Sequence, residues 1–599
     1  MKLDLTSLRA VYASGQSPES VIEYVYQQIE TTGVRPTWIS LVPREQALAR
    51  AAALSPADPA KLPLYGVPFA VKDNIDVAGM ATTAGCPAYS YQPSASATVV
   101  KLLEAAGAIL IGKTNLDQFA TGLVGVRSPY GACASVFDGR YIAGGSSAGS
   151  AVAVAKGLVS FSLGTDTAGS GRVPAAFNNL VGLKPTRGAI SAAGVVPACR
   201  SLDCVSIFAL TCDDAQRVFT AACRFDASDP YSRPFTDAAA PWLGGSFRFG
   251  VPKPDQLEFF SDAAASALYQ EATRALESLG GQRIEFDFAP LRAVADLLYS
   301  GPWVAERLAA IRSFFDSNPD ALHPVVRGIV GGATRYNAVD TFLAQYRLEE
   351  LKGEARAAWN QLDLLLLPTT GTTYTIAEIE ADPVRLNTTL GFYTNFVNLL
   401  DLSAVAVPAG FRPSGLPFGV SLIAAAHTDR ALLSVADRLH RFLGQHLGAV
   451  STALSETEPI LTAATPPGCT LVSVVGAHLS GQPLNHQLTS RGARLIERTK
   501  TSAAYRLYAL DGTAPPKPGL VREPGFTGPG IEIEVWAVPT QQFGSFVAEI
   551  PPPLGIGNVE LDDGSSVKGF ICEPFAIEHA IEITHLGGWR AYLSSRRAE

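Results

Sequence analysis

GTDTAGSGRVPAAFNNLVGLKPTRG, residues 164–188, is the stretch from which the rest of the chain is read. It opens with a glycine- and serine-rich turn around Ser170 and continues into an apolar run and the GLKPT turn. A second turn of this kind, GGSSAGS at 144–150, puts Ser146 24 residues before Ser170. A third segment, VKDN at 71–74, carries Lys72. A nucleophilic serine normally gives its proton to a histidine. This chain has no histidine before His323. If a serine in these turns is a nucleophile, its base is something else, and Lys72 is the available candidate.

Lysine suits that task only when neutral. Its ordinary pKa is about 10.4, and burial disfavours the charged form and can bring it to about 7–8. Leu64, Val67, Phe69 and Val71 lead into Lys72 as an apolar, strand-like run. Asp73 would favour the ammonium form, but neighbours on a strand point to opposite faces, so it is expected to face away. Glycines 144, 145, 149, 164, 169 and 171 allow sharp turns and close approach of a substrate. The backbone N–H groups of Thr167, Ala168, Gly169 and Ser170 are candidates for an oxyanion hole. Glycine loops before helices also bind phosphate, and AVAVAKG after Ser150 reads as helical, but no GxxxxGK[ST] or GxGxxG pattern stands at a strand–helix junction.

These three segments, in this order and spacing, resemble the amidase signature family. The resemblance implies a Ser–Ser–Lys triad with Ser170 as nucleophile, Ser146 as relay and Lys72 as base. It also implies a cis peptide at Gly145–Ser146 and one large mixed sheet flanked by helices. The chain's own pattern agrees with an α/β fold. Helix-like SVIEYVYQQIE at 20–30 alternates with strand-like AILIGK at 108–113 and LDLLLLPTT at 362–370. TNFVNLLDLSAVAVPAG at 394–410 and GLPFGVSLIA at 415–424 match the far end of the family's sheet. The apolar stretch at about 148–163 reads as a buried helix, too interrupted to span a membrane.

Residues 1–455 are therefore read as one large domain. ETEPILTAATPPG at 456–468 reads as a linker. From 469 to 599, runs such as LVSVVGAHL, AAYRLYAL, IEIEVWAV and SVKGFIC alternate with PPKPG, FTGPG and PPPLG, predicting a small α+β domain. With 599 residues, 47% hydrophobic and 17% charged, the composition is that of a soluble protein with a large core. A net charge of −8 does not point to nucleic acid or an anionic membrane. The eight cysteines form no CxxC pair and read as buried thiols of a reducing cytoplasm. The N-terminus reads as a first helix rather than a signal peptide.

DLLYSGPWVAERLAA at 296–310 holds Tyr299 and Arg307, eight residues apart and on one helix face if the helix survives Gly301–Pro302. Arginine is the natural clamp for a carboxylate, although an ion pair of Arg307 with Glu306 would be the plainer use. This segment, DQFATGLVGVRSPYG at 117–131 and GAHLSGQPLNHQL at 476–488 resemble the allophanate hydrolases, over nearly the whole chain. That resemblance implies hydrolysis of allophanate to ammonia and carbon dioxide through a Ser170 acyl-enzyme and N-carboxycarbamate, the second step of ATP-dependent urea breakdown. Arg307 and Tyr299 would bind the substrate. No metal or organic cofactor is implied, and no biotin-attachment sequence is visible, so a biotin-dependent urea carboxylase would be a separate chain. A homodimer is implied as well. The last domain resembles the γ-glutamyl cyclotransferase fold, with His478, His486 and Glu549 as site candidates, each equally readable as structural. A broader amidase, the amidase subunit of a tRNA-dependent amidotransferase, and a binding protein on an amidase scaffold are the alternatives. Intact Lys72, Ser146 and Ser170 speak against the last.

Overall fold

The structure is a computed structural model that describes residues 1–55, 59–236, 247–444, 446–450, 454, 469–562 and 564–598. The described residues form two compact units, one running to residue 454 and one for which the continuous described stretch begins at 469. The linker read at 456–468 lies outside the described residues.

The first unit is organised by eleven strands: β1 (Trp38–Leu41), β2 (Pro68–Lys72), β3 (Ile109–Thr114), β4 (Phe161–Asp166), β5 (Val181–Lys184), β6 (Cys204–Ala209), β7 (Phe247–Pro252), β8 (Gly281–Phe286), β9 (Leu364–Pro368), β10 (Leu402–Phe411) and β11 (Pro417–Ala425). They make one sheet in the order β1-β3-β2-β4-β6-β5-β10-β11-β9-β7-β8. β2 runs parallel to both β3 and β4, whereas β4, β6, β5, β10, β11 and β9 pair antiparallel in turn, so the sheet is mixed. Every residue of β2, β3, β4, β6 and β9 is buried. Central strands of that kind read as continuous apolar runs, which is why AILIGK and LDLLLLPTT were recognisable.

The apolar stretch at 148–163 departs from the expected single helix. It is a helix, Ala148–Ala155, followed by a turn with Gly157 at φ 66° and then the start of β4. Helix and strand are both wholly buried here, so neither shows a polar face from which its period could be read. The parallel pairing of β2 with β4, Val71 opposite Leu163, brings the carboxyl ends of these two strands together. Ligands of open α/β sheets bind at such strand ends, and Lys72 is the last residue of β2.

The second unit adds β12 (Cys469–Val474), β13 (Arg494–Lys500), β14 (Tyr505–Ala509), β15 (Pro518–Arg522), β16 (Glu532–Pro539), β17 (Leu554–Glu560), β18 (Ser566–Cys572) and β19 (Ile581–Glu582). They form a five-stranded sheet, β13-β16-β12-β18-β17, and a three-stranded one, β15-β14-β19. Val472, Val474, Leu507, Ile533, Val535 and Phe570 are among its buried core. Helices Thr540–Val547 and Trp589–Ala598 complete the expected α+β unit. Among the described residues, no helix is long and apolar enough to cross a membrane.

Candidate active site

Lys72 is fully buried, and its Nζ lies 2.7 Å from Ser146 Oγ and 2.8 Å from Thr165 Oγ1. Burial pushes its pKa down to about 7, against the opposing pull of Asp117, Asp203 and Asp166. At neutral pH a large fraction of Lys72 is therefore an amine able to take a proton, the state a general base needs. Asp73 is turned away as the strand alternation requires. Its Oδ1 lies 2.9 Å from Lys113 Nζ, and its Oδ2 accepts the Thr83 N–H. Sequence reasoning did not identify Thr165. Its place beside Lys72 follows from the β2–β4 register, which the sequence does not print.

Ser146 follows a cis peptide, Gly145–Ser146. Gly145 is obligatory for steric reasons, since a Cβ there would sit 2.1 Å from Asp117 Oδ2 and 2.6 Å from the Gly125 nitrogen. Asp117 itself is held by the N–H groups of Val124, Gly125 and Arg127. Ser170 is nearly buried, and its Oγ is 3.5 Å from the Gly122 carbonyl oxygen. Among the described residues no hydrogen bond joins Ser146 to Ser170, so a direct relay requires the Ser170 hydroxyl to swing from Gly122 towards Ser146.

The loop after β4 is fixed by a buried ion pair. Arg172 Nε donates to Asp166 Oδ2 at 2.9 Å, and Arg172 Nη2 donates to Oδ1 at 3.0 Å. Burial pushes the Asp166 carboxyl up, but the charge of Arg172 and its hydrogen bonds outweigh this and hold it below the usual range. Asp166 also accepts the N–H groups of Gly169 and Gly171. That corrects the expected oxyanion hole: the Gly169 N–H is already spent on Asp166. The N–H groups of Thr167, Ala168 and Ser170 have no protein acceptor among the described residues and are the donors left for an oxyanion. Thr394 supports the loop from below through its hydroxyl on the Ala168 carbonyl.

Tyr299 and Arg307 do meet, although not on one helix. The helices Ala289–Ser300 and Trp303–Ser317 are separated at Gly301–Pro302. Across that break, Arg307 Nη2 donates to the Tyr299 hydroxyl at 3.3 Å. Arg307 is 3% exposed. Its Nη1 reaches the Ala120 carbonyl at 3.4 Å and Thr121 Oγ1 at 3.3 Å, and its Nε has no partner. Among the described residues no carboxylate pairs with it. Glu306 instead accepts from the N–H and hydroxyl of Ser201. Segment 120–122 thus touches Arg307 at Ala120 and Thr121 and Ser170 at Gly122, placing a buried cation with no carboxylate at salt-bridge distance close to the serine.

In the second unit, a cavity of about 150 Å³ is lined by His478, Gln487, Lys517, Glu549 and Phe570 among others. His478 Nε2 is 2.7 Å from Gln487 Oε1, its ring stacks on Phe570, and burial lowers its pKa. Glu549 is paired with Arg491. His486 is not brought into this cavity. It is exposed at the start of the short helix His486–Thr489, with Nδ1 near the Pro483 carbonyl.

A family profile described as amidase matches residues 20–433, and one described as allophanate hydrolase C-terminal domain matches residues 470–594. The urea amidolyases of Saccharomyces cerevisiae and Lachancea kluyveri are 45% and 46% identical over 97% and 94% of this chain. The chain spans about a third of their length, 32% in each case. A solved structure of Kluyveromyces lactis allophanate hydrolase superposes with a TM-score of 0.82 at 43% identity, covering 98% of both chains.

Proposed function

The chain belongs to the amidase family, and from that premise we propose that it hydrolyses allophanate, the small ureido carboxylate, to ammonia and carbon dioxide. The observation that carries the choice of substrate is Arg307, a buried guanidinium with no carboxylate partner beside the Ser170 segment. A neutral amide offers such a group only a neutral acceptor, whereas a substrate carboxylate gives it a charge-assisted, bidentate partner.

Neutral Lys72 takes the proton of Ser146, Ser146 takes that of Ser170, and Ser170 Oγ attacks the terminal amide carbonyl. The N–H groups of Thr167, Ala168 and Ser170 receive the oxyanion. The C–N bond breaks, the proton returns through the relay, and ammonia leaves. Water then attacks the acyl-enzyme with Lys72 and Ser146 again moving the proton, which frees Ser170 and releases N-carboxycarbamate. That product loses carbon dioxide, and the carbamate left splits into ammonia and a second carbon dioxide. For the second unit, the cavity around His478 is the site for N-carboxycarbamate, with Lys517 at its wall opposite the product's negative charge.

The substrate would come from a biotin-dependent carboxylase acting on urea, a functional link that the similarity to urea amidolyases supports. Buried free thiols such as Cys86, Cys133 and Cys212 support a reducing, cytoplasmic setting. Val339, Phe342, Leu343 and Tyr346 form an exposed apolar stripe on the helix Ala338–Trp359, at the spacing of one helix face, which supports a homodimer.

The test is ammonia release from allophanate, compared with biuret, glutamine and acetamide. Turnover of allophanate well above the other three is expected. Equal or greater turnover of a neutral amide would return the chain to a broader amidase.

A further inference from the structure

The helix that carries Arg307 starts just after a chain break in helical hydrogen bonding, at Gly301–Pro302. Its direction is therefore not inherited from the helix before it, yet Arg307 must meet one end of a substrate whose other end lies against the oxyanion loop. The turn at 198–203 touches both. At one end, Ser201 donates its N–H to Glu306 Oε1 at 2.7 Å and its hydroxyl to Oε2 at 2.9 Å. Cys199 Sγ also sits 3.6 Å from the Trp303 carbonyl, at the start of the same helix. At the other end, Asp203 accepts the hydroxyl of Thr167, the first oxyanion donor. Asp203 also closes the turn on itself by accepting the N–H groups of Ala198 and Cys199, at 2.8 and 3.2 Å. The Leu202 and Asp203 N–H groups both return to the Cys199 carbonyl.

Each carboxylate is thus spent on holding one end of a short, self-closed turn. Glu306 and Asp203 also line one cavity of about 500 Å³ with Arg200 and Tyr231. An acidic side chain in the first turn of a helix has an ordinary use, offsetting the helix dipole. That use asks nothing of Ser201, and Glu306 binds it with both oxygens.

We propose that Glu306 and Asp203 are positioning residues that, through the 198–203 turn, set the distance between the Arg307 clamp and the Thr167 end of the oxyanion loop. The inference rests on allophanate as the substrate. Its span from amide carbonyl to carboxylate is fixed by two bonds to one nitrogen, so the two binding ends of the site must be held at a matching separation. A misplacement of about 1 Å can cost on the order of a hundredfold in rate.

The experiment measures kcat and KM for allophanate in the full chain. Glu306→Ala frees the helix and should raise KM about tenfold with kcat changed less than about threefold. Glu306→Gln, which keeps one acceptor oxygen, should fall between wild type and Glu306→Ala. Thr167→Val keeps the backbone N–H but removes the hydroxyl that Asp203 holds, and should lower kcat more than it raises KM. In the double variant the losses in kcat/KM should fall short of their product, because part of each loss comes from breaking the same coupling. Overturning results are a Glu306→Ala protein whose kcat falls while KM holds, the mark of a smaller folded fraction, or a double variant whose losses multiply. Should Glu306→Ala not fold, Ser201→Ala removes one of the two bonds from the other side, and an unchanged KM there would overturn the proposal equally. An inactive wild type would strike down the allophanate reading instead, a result separate from any of these.

Discussion

Replacing Lys72 by methionine should make the amidase unit inert and, at neutral pH and below, more stable. The gain should vary with pH in a fixed way. Burial takes the Lys72 pKa from 10.5 to about 7, which at about 1.4 kcal/mol per pH unit is a penalty of about 5 kcal/mol on the charged form. Below pH 7, Lys72 is protonated in the folded and unfolded chains alike, and the whole penalty weighs on the fold. Between pH 7 and 10.5 the unfolded chain binds a proton that the folded one does not, so wild-type stability rises by about 1.4 kcal/mol per unit. Methionine carries no proton, fills a similar volume and removes that dependence. It also leaves Ser146 Oγ and Thr165 Oγ1 without their shared partner, a loss of about 1–3 kcal/mol that does not change with pH. The net advantage of Lys72→Met is then about 2–4 kcal/mol at pH 6, shrinking by about 3 kcal/mol between pH 7 and pH 9.

Urea denaturation of both proteins at pH 6, 7, 8 and 9, at constant ionic strength, reads this difference directly, because every other titrating group is common to the pair. In parallel, wild-type kcat/KM should rise about tenfold per pH unit up to about 7 and then level. A stability difference constant across that range, or an acid limb lying below pH 5, would mean that the folded-state amine does not titrate near 7, and the lysine-base mechanism would fall.

Ser170→Ala should release no ammonia from allophanate while unfolding at the wild-type urea concentration; residual turnover near the wild-type rate would assign the nucleophile elsewhere. Arg307→Ala should raise KM for allophanate about ten- to hundredfold, the worth of one charge-assisted partner. An equal loss on any neutral amide that the enzyme accepts would make Arg307 structural. We expect proteolysis to nick the chain within 456–468, and a fragment ending near 455 to fold and still release the first ammonia, since Lys72, Ser146, Ser170 and Arg307 all lie within it. In the full chain, His478→Ala should slow the disappearance of N-carboxycarbamate to the fragment's rate while His486→Ala should not; identical time courses for fragment and full chain would leave the second unit without a catalytic part.

Where the sequence was informative, it was informative through local pattern. Ser146 and Ser170 stand in glycine-rich turns whose spacing is written in the chain, and the missing histidine forces attention onto Lys72. β3 and β9 are runs of apolar residues bounded by turns, so their place in a buried sheet could be read from a few residues each. The failures have a different character. The stretch at 148–163 is apolar on all sides because both its helix and its strand are wholly buried, and periodicity carries no signal there. Gly169 was read as an oxyanion donor from its place beside Ser170, but its N–H is claimed by Asp166, three residues back, through a fold of the loop that spacing does not reveal.

Thr165 and Asp203 share one cause of concealment. Thr165 meets Lys72 because β2 and β4 pair in a particular register. Asp203 meets Thr167 because β4 and β6 are antiparallel neighbours, with Asp166 opposite Cys204. In both cases the residue type is common and the motif is absent; what selects the residue is the relative placement of two segments. Tyr299 and Arg307 were legible as a pair from their spacing, and only the route differs, since they meet across the break at Gly301–Pro302 and not along one helix. A nucleophile needs a special local backbone, so it leaves a local mark in sequence. A substrate clamp or a positioning carboxylate needs only to arrive from elsewhere at the right distance. That difference predicts which substitutions separate chemistry from specificity. Changes inside 144–150 and 164–172 should act on kcat, and changes at 299, 306 and 307, far along the chain, should act first on KM.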